Sequence, residues 1–382
     1  MRIAYLDNAA TAPVYKEAAD AAYKVLNENF GNPSSLHTLG IEAEQIIDNA
    51  RLSVSRLLSC DKKEIIFTSG GTESNNLAIS GAVSALKRRG KRIITTAIEH
   101  PSVINVFKQL EEQGFEAVYV NPRSDGKIYS EDIIKEINDK TILISCMLVN
   151  NETGLILPVK EIKQGVINAK APALIHCDAV QALSKLTFSV RELGVDLLAV
   201  SAHKIHGPKG VGALYIKKGA RILPIIYGGG QERNLRPGTE NTAGIAGFAA
   251  ACFIVYKNIN ENISKVRDVR EYFAKKIKIE IPQIKINSPN DSVPHIINIT
   301  VLGFKSETML HFLESKGVFV SSGSACSSHK KGVSYVLKAM GLKDNEADCA
   351  LRISFSHLNT KEDIDMLVSS LKEGMSVLTK KD

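Results

Sequence analysis

The chain lacks several signatures that would settle its class at once. Its six cysteines are Cys60, Cys146, Cys177, Cys252, Cys326 and Cys349, and no two form a C-x-x-C pair. That argues against zinc ribbons and thioredoxin-type redox motifs. Six in 382 residues is also too sparse for a disulfide scaffold. There is no G-x-G-x-x-G dinucleotide fingerprint, and no Lys-Ser/Thr pair follows the glycines of Thr68–Thr72, so a Walker A loop is excluded as well. No run of like charge is long. Lys plus Arg is 48 and Asp plus Glu is 41, a diffuse net charge of +7. The basic stripe of a nucleic-acid-binding surface is missing, so no direct nucleic-acid binding is expected. The longest apolar run, Ala243 to Val255, falls short of the roughly 20 residues that span a bilayer. Met1 to Asp7 lacks the apolar core of a signal peptide. The expected setting is a reducing cytoplasm with free thiols and no membrane.

What is present points to a large folded enzyme-sized chain. Hydrophobic residues make up 44% and charged residues 23%, which excludes general disorder and supports two or three domains. Short apolar runs recur at residues 64–68, 92–96, 117–120, 142–145, 173–176 and 197–200, separated by helical patterns such as Leu77 to Leu86. Pro101 reads as a first-turn proline opening a helix. Strand–helix alternation of this kind predicts an α/β fold with a mostly parallel sheet covered by helices. The pattern changes after Ala243, where a long Ala- and Ile-rich helix is expected. Short strands near 296–301, 318–321 and 351–355 and a final amphipathic helix after Asn359 follow. These read as a smaller α+β C-terminal domain. The expected division is 1–255 for the large domain and 256–382 for the small one, with residues 1–15 packing on the latter.

Polar clusters stand where strands end, as in open α/β sheets that bind ligands at the carboxyl edge. Thr68-Ser69-Gly70-Gly71-Thr72-Glu73 follows a strand and opens a helix. Glycines let the backbone approach an anion, and the helix N-terminus offers free N–H groups; alone, the cluster is equally a plain turn. Asp178 and Gln181 follow the strand ending at His176, where an Asp either caps a helix or holds a cationic ring nitrogen. Ser201-Ala202-His203-Lys204 places a lysine just past a strand, suited to Schiff-base chemistry if it loses water, and otherwise an ordinary surface lysine. Ser321 to Lys330 is a small-residue loop with one thiol, Cys326, beside His329 and Lys330. Exposed, with cations nearby, is where a reactive thiol belongs, although most cysteines are buried and inert. Together these clusters imply a phosphate-bearing aldehyde with a carboxylate on its ring nitrogen and a lysine on its aldehyde, which describes pyridoxal 5'-phosphate.

Along its whole length the sequence resembles the cysteine desulfurases, in the class V aminotransferase group of fold-type I pyridoxal-phosphate enzymes. The resemblance rests on Tyr5 to Thr11, Gly31 to Ser35, Thr68 to Asn75, Glu99-His100, Val149 to Gly154, Ser201 to Gly210, Arg236 to Glu240, and Ser321 to Ser328. The last of these resembles the long-loop subgroup that supplies sulfur for iron–sulfur clusters and thiolated tRNA. Gly71 stands where many members carry Ala.

The resemblance implies a role for each matching residue. Lys204 would be the Schiff-base lysine, Asp178 would hold the pyridine nitrogen and Gln181 the phenolic oxygen. Gly71, Thr72, Ser201 and His203 would bind the phosphate, joined by Thr239 from the neighbouring subunit of a homodimer. His100 would stack on the ring and assist proton transfer. Asn151 would bind the cofactor and, with Arg352, hold the substrate end, Arg352 by a bidentate grip on its carboxylate. L-Cysteine would give its sulfur to Cys326 as a persulfide, leaving L-alanine. The sulfur acceptor would be an iron–sulfur scaffold or a tRNA-thiolation protein. No resident metal is implied, with Cys326 a transient ligand for a cluster shared with a partner. The rival readings are a selenocysteine lyase or a plain class V aminotransferase, neither of which explains Cys326, and a non-catalytic sulfur-transfer scaffold.

Overall fold

The computed structural model describes residues 2–322 and 333–380. Its strands, in chain order, are β1 (Ala4–Tyr5), β2 (Ile65–Thr68), β3 (Arg92–Thr96), β4 (Glu116–Val120), β5 (Thr141–Ser145), β6 (Leu174–Asp178), β7 (Leu197–Ser201), β8 (Gly212–Ile216), β9 (Lys285–Ile286), β10 (Ile296–Thr300), β11 (Val318–Phe319), β12 (Ser321–Ser322) and β13 (Ala350–Ser354). The first four α-helices are α1 (Lys16–Asn27), α2 (Thr38–Leu58), α3 (Gly71–Leu86) and α4 (Pro101–Glu112). The central sheet runs β2-β8-β7-β6-β5-β3-β4. Every pair in it is parallel except the two that β8 makes, with β2 and β7. This is the mostly parallel α/β sheet that the strand–helix alternation predicts.

The strands read as unbroken apolar runs because helices cover both faces. Side chains alternate between two cores with period two. Ile65 and Phe67 join Ile94, Ile144, Ile175 and Leu198 on one side. Ile66 joins Ile93, Leu143, Leu197 and Leu214 on the other. Each such burial contributes roughly 1.5–3 kcal/mol before conformational entropy is set against it. At the start of β8, Gly212 lies between Thr68 of β2 and Ser201 of β7. A Cβ there would stand 2.6 Å from the Val200 carbonyl oxygen and 2.7 Å from Gly70 Cα. Only glycine lets these strand ends converge.

A second core is built on an antiparallel sheet ordered β12-β13-β10-β9. β1 pairs in parallel with β11, so Ala4 and Leu6 are buried in this core rather than with the central sheet. One helix, Thr242–Glu280, passes through residue 255 without a break. Ile245, Phe248, Cys252 and Val255 belong to the large core. Val266, Val269, Phe273 and Ile277 belong to the small one. At 39 residues the helix is about 58 Å long. By length and composition alone it could cross a membrane, but its buried residues are divided between these two cores.

Candidate active site

The carboxyl ends of β2, β6 and β7 open onto a pocket of about 380 Å³. Asp178 ends β6 and Ser201 ends β7, side by side in parallel strands. A short turn carries Lys204 three residues further. α3 starts at Gly71 immediately beyond β2. Strand–turn–helix geometry therefore delivers acid, amine and helix N-terminus to one rim.

The floor is a chain of hydrogen bonds. Asn75 Nδ2 donates to Asp178 Oδ2 at 2.7 Å and to Ser102 Oγ at 2.8 Å. Ser102 Oγ lies 2.8 Å from His100 Nδ1. The Val180 N–H donates to the other Asp178 oxygen at 3.0 Å. Asp178 is only 5% exposed, and two N–H donors offset the cost of burying its carboxylate. Burial holds the His100 pKa below the ordinary histidine value, a shift that Asp178 opposes and the Lys204 ammonium reinforces. Pro101 opens α4 behind His100, whose ring accepts the Ser102 N–H as the helix cap.

The N-terminal segment closes the opposite wall. Lys204 Nζ donates to the carbonyls of Ala9 at 2.6 Å and Ala10 at 2.7 Å. Gln181 Nε2 donates to the same Ala9 carbonyl at 2.9 Å. At the third end, Gly71 and Thr72 form the first turn of α3, where unpaired N–H groups and the helix dipole favour an anion. A Cβ on Gly71 would come within 2.7 Å of Val180 Cγ2, the end of a side chain. Ser201 and His203 line the cradle so formed, with Lys209 beside them. Burial, with Lys204 and Lys209, pushes the His203 pKa down to about 4, leaving the ring neutral near pH 7.

The fourth end comes from the small core. Arg352 on β13 is 3% exposed and lines the pocket. Its Nη1 donates to the Asn151 carbonyl at 3.1 Å, and its Nη2 pairs with Asp7 Oδ1 at 2.9 Å. Arg352 Nε and Asn151 Oδ1 are buried without a partner among the described residues. The donor set as a whole fits pyridoxal phosphate. It offers a carboxylate for a pyridinium nitrogen, an amine for an aldehyde and a helix N-terminus for a phosphate, with the unpartnered Arg352 Nε–H for a substrate carboxylate.

The pocket thus brings together Gly71, Thr72, His100, Asn151, Asp178, Gln181, Ser201, His203, Lys204 and Arg352. Thr239 is exposed and stands outside its lining. Cys326 lies outside the described residues. Asn75 and Ser102 were not foreseen from the sequence. The available signal was a pair of polar residues on otherwise apolar helix faces, each within one turn of a residue that was singled out.

The chain is similar to known proteins over most of its length. The aminotransferase class-V family profile matches residues 4–367. The cysteine desulfurase IscS of Clostridium botulinum is 42% identical over 370 residues, covering 96% of this chain and 93% of its own. A solved NifS-like protein superposes with a TM-score of 0.92 at 36% identity, covering 99% of this chain and 100% of its own. SspA, solved in complex with cysteine, gives a TM-score of 0.81 at 32% identity over 93% of this chain and 99% of its own. A full-length match to the family, with the pocket its chemistry needs, places the chain in the class-V aminotransferase family, among its pyridoxal-phosphate-dependent cysteine desulfurases.

Proposed function

We propose that the chain converts L-cysteine to L-alanine and moves the sulfur onto Cys326 as a persulfide, for iron–sulfur cluster assembly, tRNA thiolation or both. The observation that carries this reading is that Lys204 and Asp178 face one pocket whose far wall is Arg352. When bound, pyridoxal phosphate supplies an aldehyde for the substrate amine and a ring that draws electrons from its Cα. Asp178 would keep the ring nitrogen protonated, held in place by Asn75 and the Val180 N–H. Gln181 would face the phenolic oxygen. Gly71, Thr72, Ser201 and His203 would take the phosphate. Arg352 would hold the substrate carboxylate, its Nε–H being a buried donor that has no partner among the described residues, and Asn151 would meet the substrate end through its side-chain N–H groups.

Lys204 Nζ, once released by the incoming amine, would take the Cα proton. His100 would lie over the ring and pass protons near the sulfur. The Cys326 thiolate would attack the substrate sulfur, forming an S–S bond and breaking the Cβ–S bond. The electron pair stays with the carbon skeleton, and L-alanine is completed by one proton added at Cβ and by return of the proton on Lys204 to Cα. The five described cysteines are free, and burial holds the Cys146 and Cys177 thiols well above the ordinary thiol pKa. Those two thiols are poor nucleophiles, which supports Cys326 as the acceptor, and free thiols suit a reducing cytoplasm.

A homodimer completes the reading. Tyr23, Leu26, Phe30, Leu36 and Tyr227 stand largely exposed, with Leu36 at 96%, and a second copy of the chain would cover apolar surface of this kind. Thr239, exposed on its own chain, would reach the partner's phosphate. The reading is tested with sulfur-labelled L-cysteine. Wild-type protein should form one labelled persulfide per chain and release L-alanine, while Cys326→Ala keeps the visible colour of bound cofactor and forms no persulfide. Undiminished sulfur release by Cys326→Ala would overturn it in favour of a lyase that needs no acceptor thiol.

A further inference from the structure

The Arg236-Pro237-Gly238-Thr239-Glu240 segment carries a charged residue that the reaction above does not use. Arg236 Nε donates to Glu73 Oε1 at 2.9 Å. The second Glu73 oxygen accepts the Ser69 N–H at 2.7 Å. Glu73 is the third residue of α3, so this contact fixes the turn that presents Gly71 and Thr72. It also sets a carboxylate within one helical turn of a cradle that receives a phosphate dianion. Burial pushes the Glu73 pKa up, but hydrogen bonds from Ser69 and Arg236 outweigh it and hold the pKa below the ordinary carboxylate value. The group is therefore charged, and a like charge in a half-buried site repels the phosphate.

Arg236 reaches Glu73 from a strained strap. Glu232, Arg233 and Asn234 take φ of 44°, 58° and 60°, left-handed values that residues with a Cβ rarely adopt in succession. A buried anchor holds them there. The Glu232 side chain, 1% exposed, pairs both oxygens with Arg51, at 2.7 and 2.5 Å. It also accepts the Phe67 N–H at 2.8 Å, one residue before the end of β2. Arg233 donates to the carbonyls of Lys63 and Ile65. The strand that leads into the cradle and the strap that carries Arg236 are thus tied at one point.

We infer that Arg236 is a positioning residue that cancels the Glu73 charge, so that the cradle holds the cofactor phosphate tightly. The inference rests on the phosphate lying at Gly71 and Thr72. The test measures binding of pyridoxal phosphate to resolved apoprotein by visible absorbance, alongside pyridoxal, which lacks the phosphate. Arg236→Gln should weaken pyridoxal phosphate by about tenfold or more and leave pyridoxal nearly unchanged. Arg236→Lys should stay within roughly threefold of wild type. The double variant Arg236→Gln/Glu73→Gln should recover most of the loss, because Gln at 73 keeps the Ser69 contact without the charge. A merely structural role predicts no recovery, and a double variant no better than Arg236→Gln overturns the inference. Equal weakening of pyridoxal does so too. Wild-type apoprotein that takes up no pyridoxal phosphate would instead sink the cofactor reading, and this pair with it.

Discussion

Asp178, Lys204, Gly71 and Thr72 sit at or just beyond the ends of β6, β7 and β2 in one sheet, and Asn75 of α3 hydrogen-bonds Asp178. Arg352, Asn151 and Asp7 come instead from β13, a turn of the large body and the N-terminal segment, and they meet where the two cores adjoin. On the proposed reading, the end of the pocket that would hold the cofactor is fixed by the sheet itself. The end that would hold the substrate depends on how the small core sits against the large one. Several links maintain that seating. Tyr15 Oη lies 3.3 Å from His357 Nε2, and its ring stacks on His206 at 4.5 Å. Glu152 accepts the Ser334 hydroxyl at 2.5 Å, and its carbonyl accepts Asn298 Nδ2 at 3.3 Å. Chemistry that needs a fixed angle is placed on rigid elements, and recognition that must admit and release a substrate is placed at a junction.

The contrast is broken most severely by Asp178→Asn. It removes the charge at the fixed end and leaves the volume unchanged. Turnover of L-cysteine should fall by roughly 100- to 1000-fold, with cofactor still bound and KM little changed. Arg352→Gln acts on the other end. Here kcat/KM should drop about 10- to 100-fold, mainly through KM, with cofactor absorbance and affinity unaltered. If Arg352→Gln loses cofactor as readily as substrate, the two ends are not separable in the way the geometry requires.

The sheet was legible in the sequence to the degree that burial is local. Runs such as Ile65 to Phe67 and Leu197 to Val200 are apolar because helices cover both sides, and every such run is a strand. β8 was not recognised, since Gly212–Ile216 follows the Lys204 turn without the helix that separates the parallel strands. The residues named at strand ends meet in one pocket because parallel strands share a carboxyl edge, a rule that sequence alone can invoke. Asn75 and Ser102 escaped notice because their partners are 103 and 27 residues away. No periodicity encodes a contact of that kind. Arg352 was named only through resemblance, for nothing in Ala350–Ser354 distinguishes an arginine that lines a pocket from one that snorkels to water.

Glu152 affects stability rather than turnover and gives the sharpest test of the junction. Burial pushes its pKa up to about 7, although the Ser334 hydrogen bond and Arg352 oppose the shift. The folded state therefore binds this proton more tightly than the unfolded chain, whose glutamates titrate near 4.5. The resulting stability is fully present below that value and is lost as pH rises through 7, a change of about 3 kcal/mol. Buried neutral histidines act in the opposite sense. His206 is pushed down to about 3, His203 and His357 to about 4, all chiefly by burial. Their contribution is lost as pH falls below 6.5 towards those values. The two trends overlap in the wild type, so its thermal midpoint against pH does not separate them. Glu152→Gln does, because the amide keeps an acceptor for Ser334 and cannot ionise. Relative to wild type, the variant should gain stability progressively from pH 5 to 8 by calorimetry, with cofactor affinity constant throughout. A pH-independent difference between the two proteins would mean that Glu152 is charged in the folded state and that the junction is held by ion pairing with Arg352 rather than by a neutral hydrogen bond.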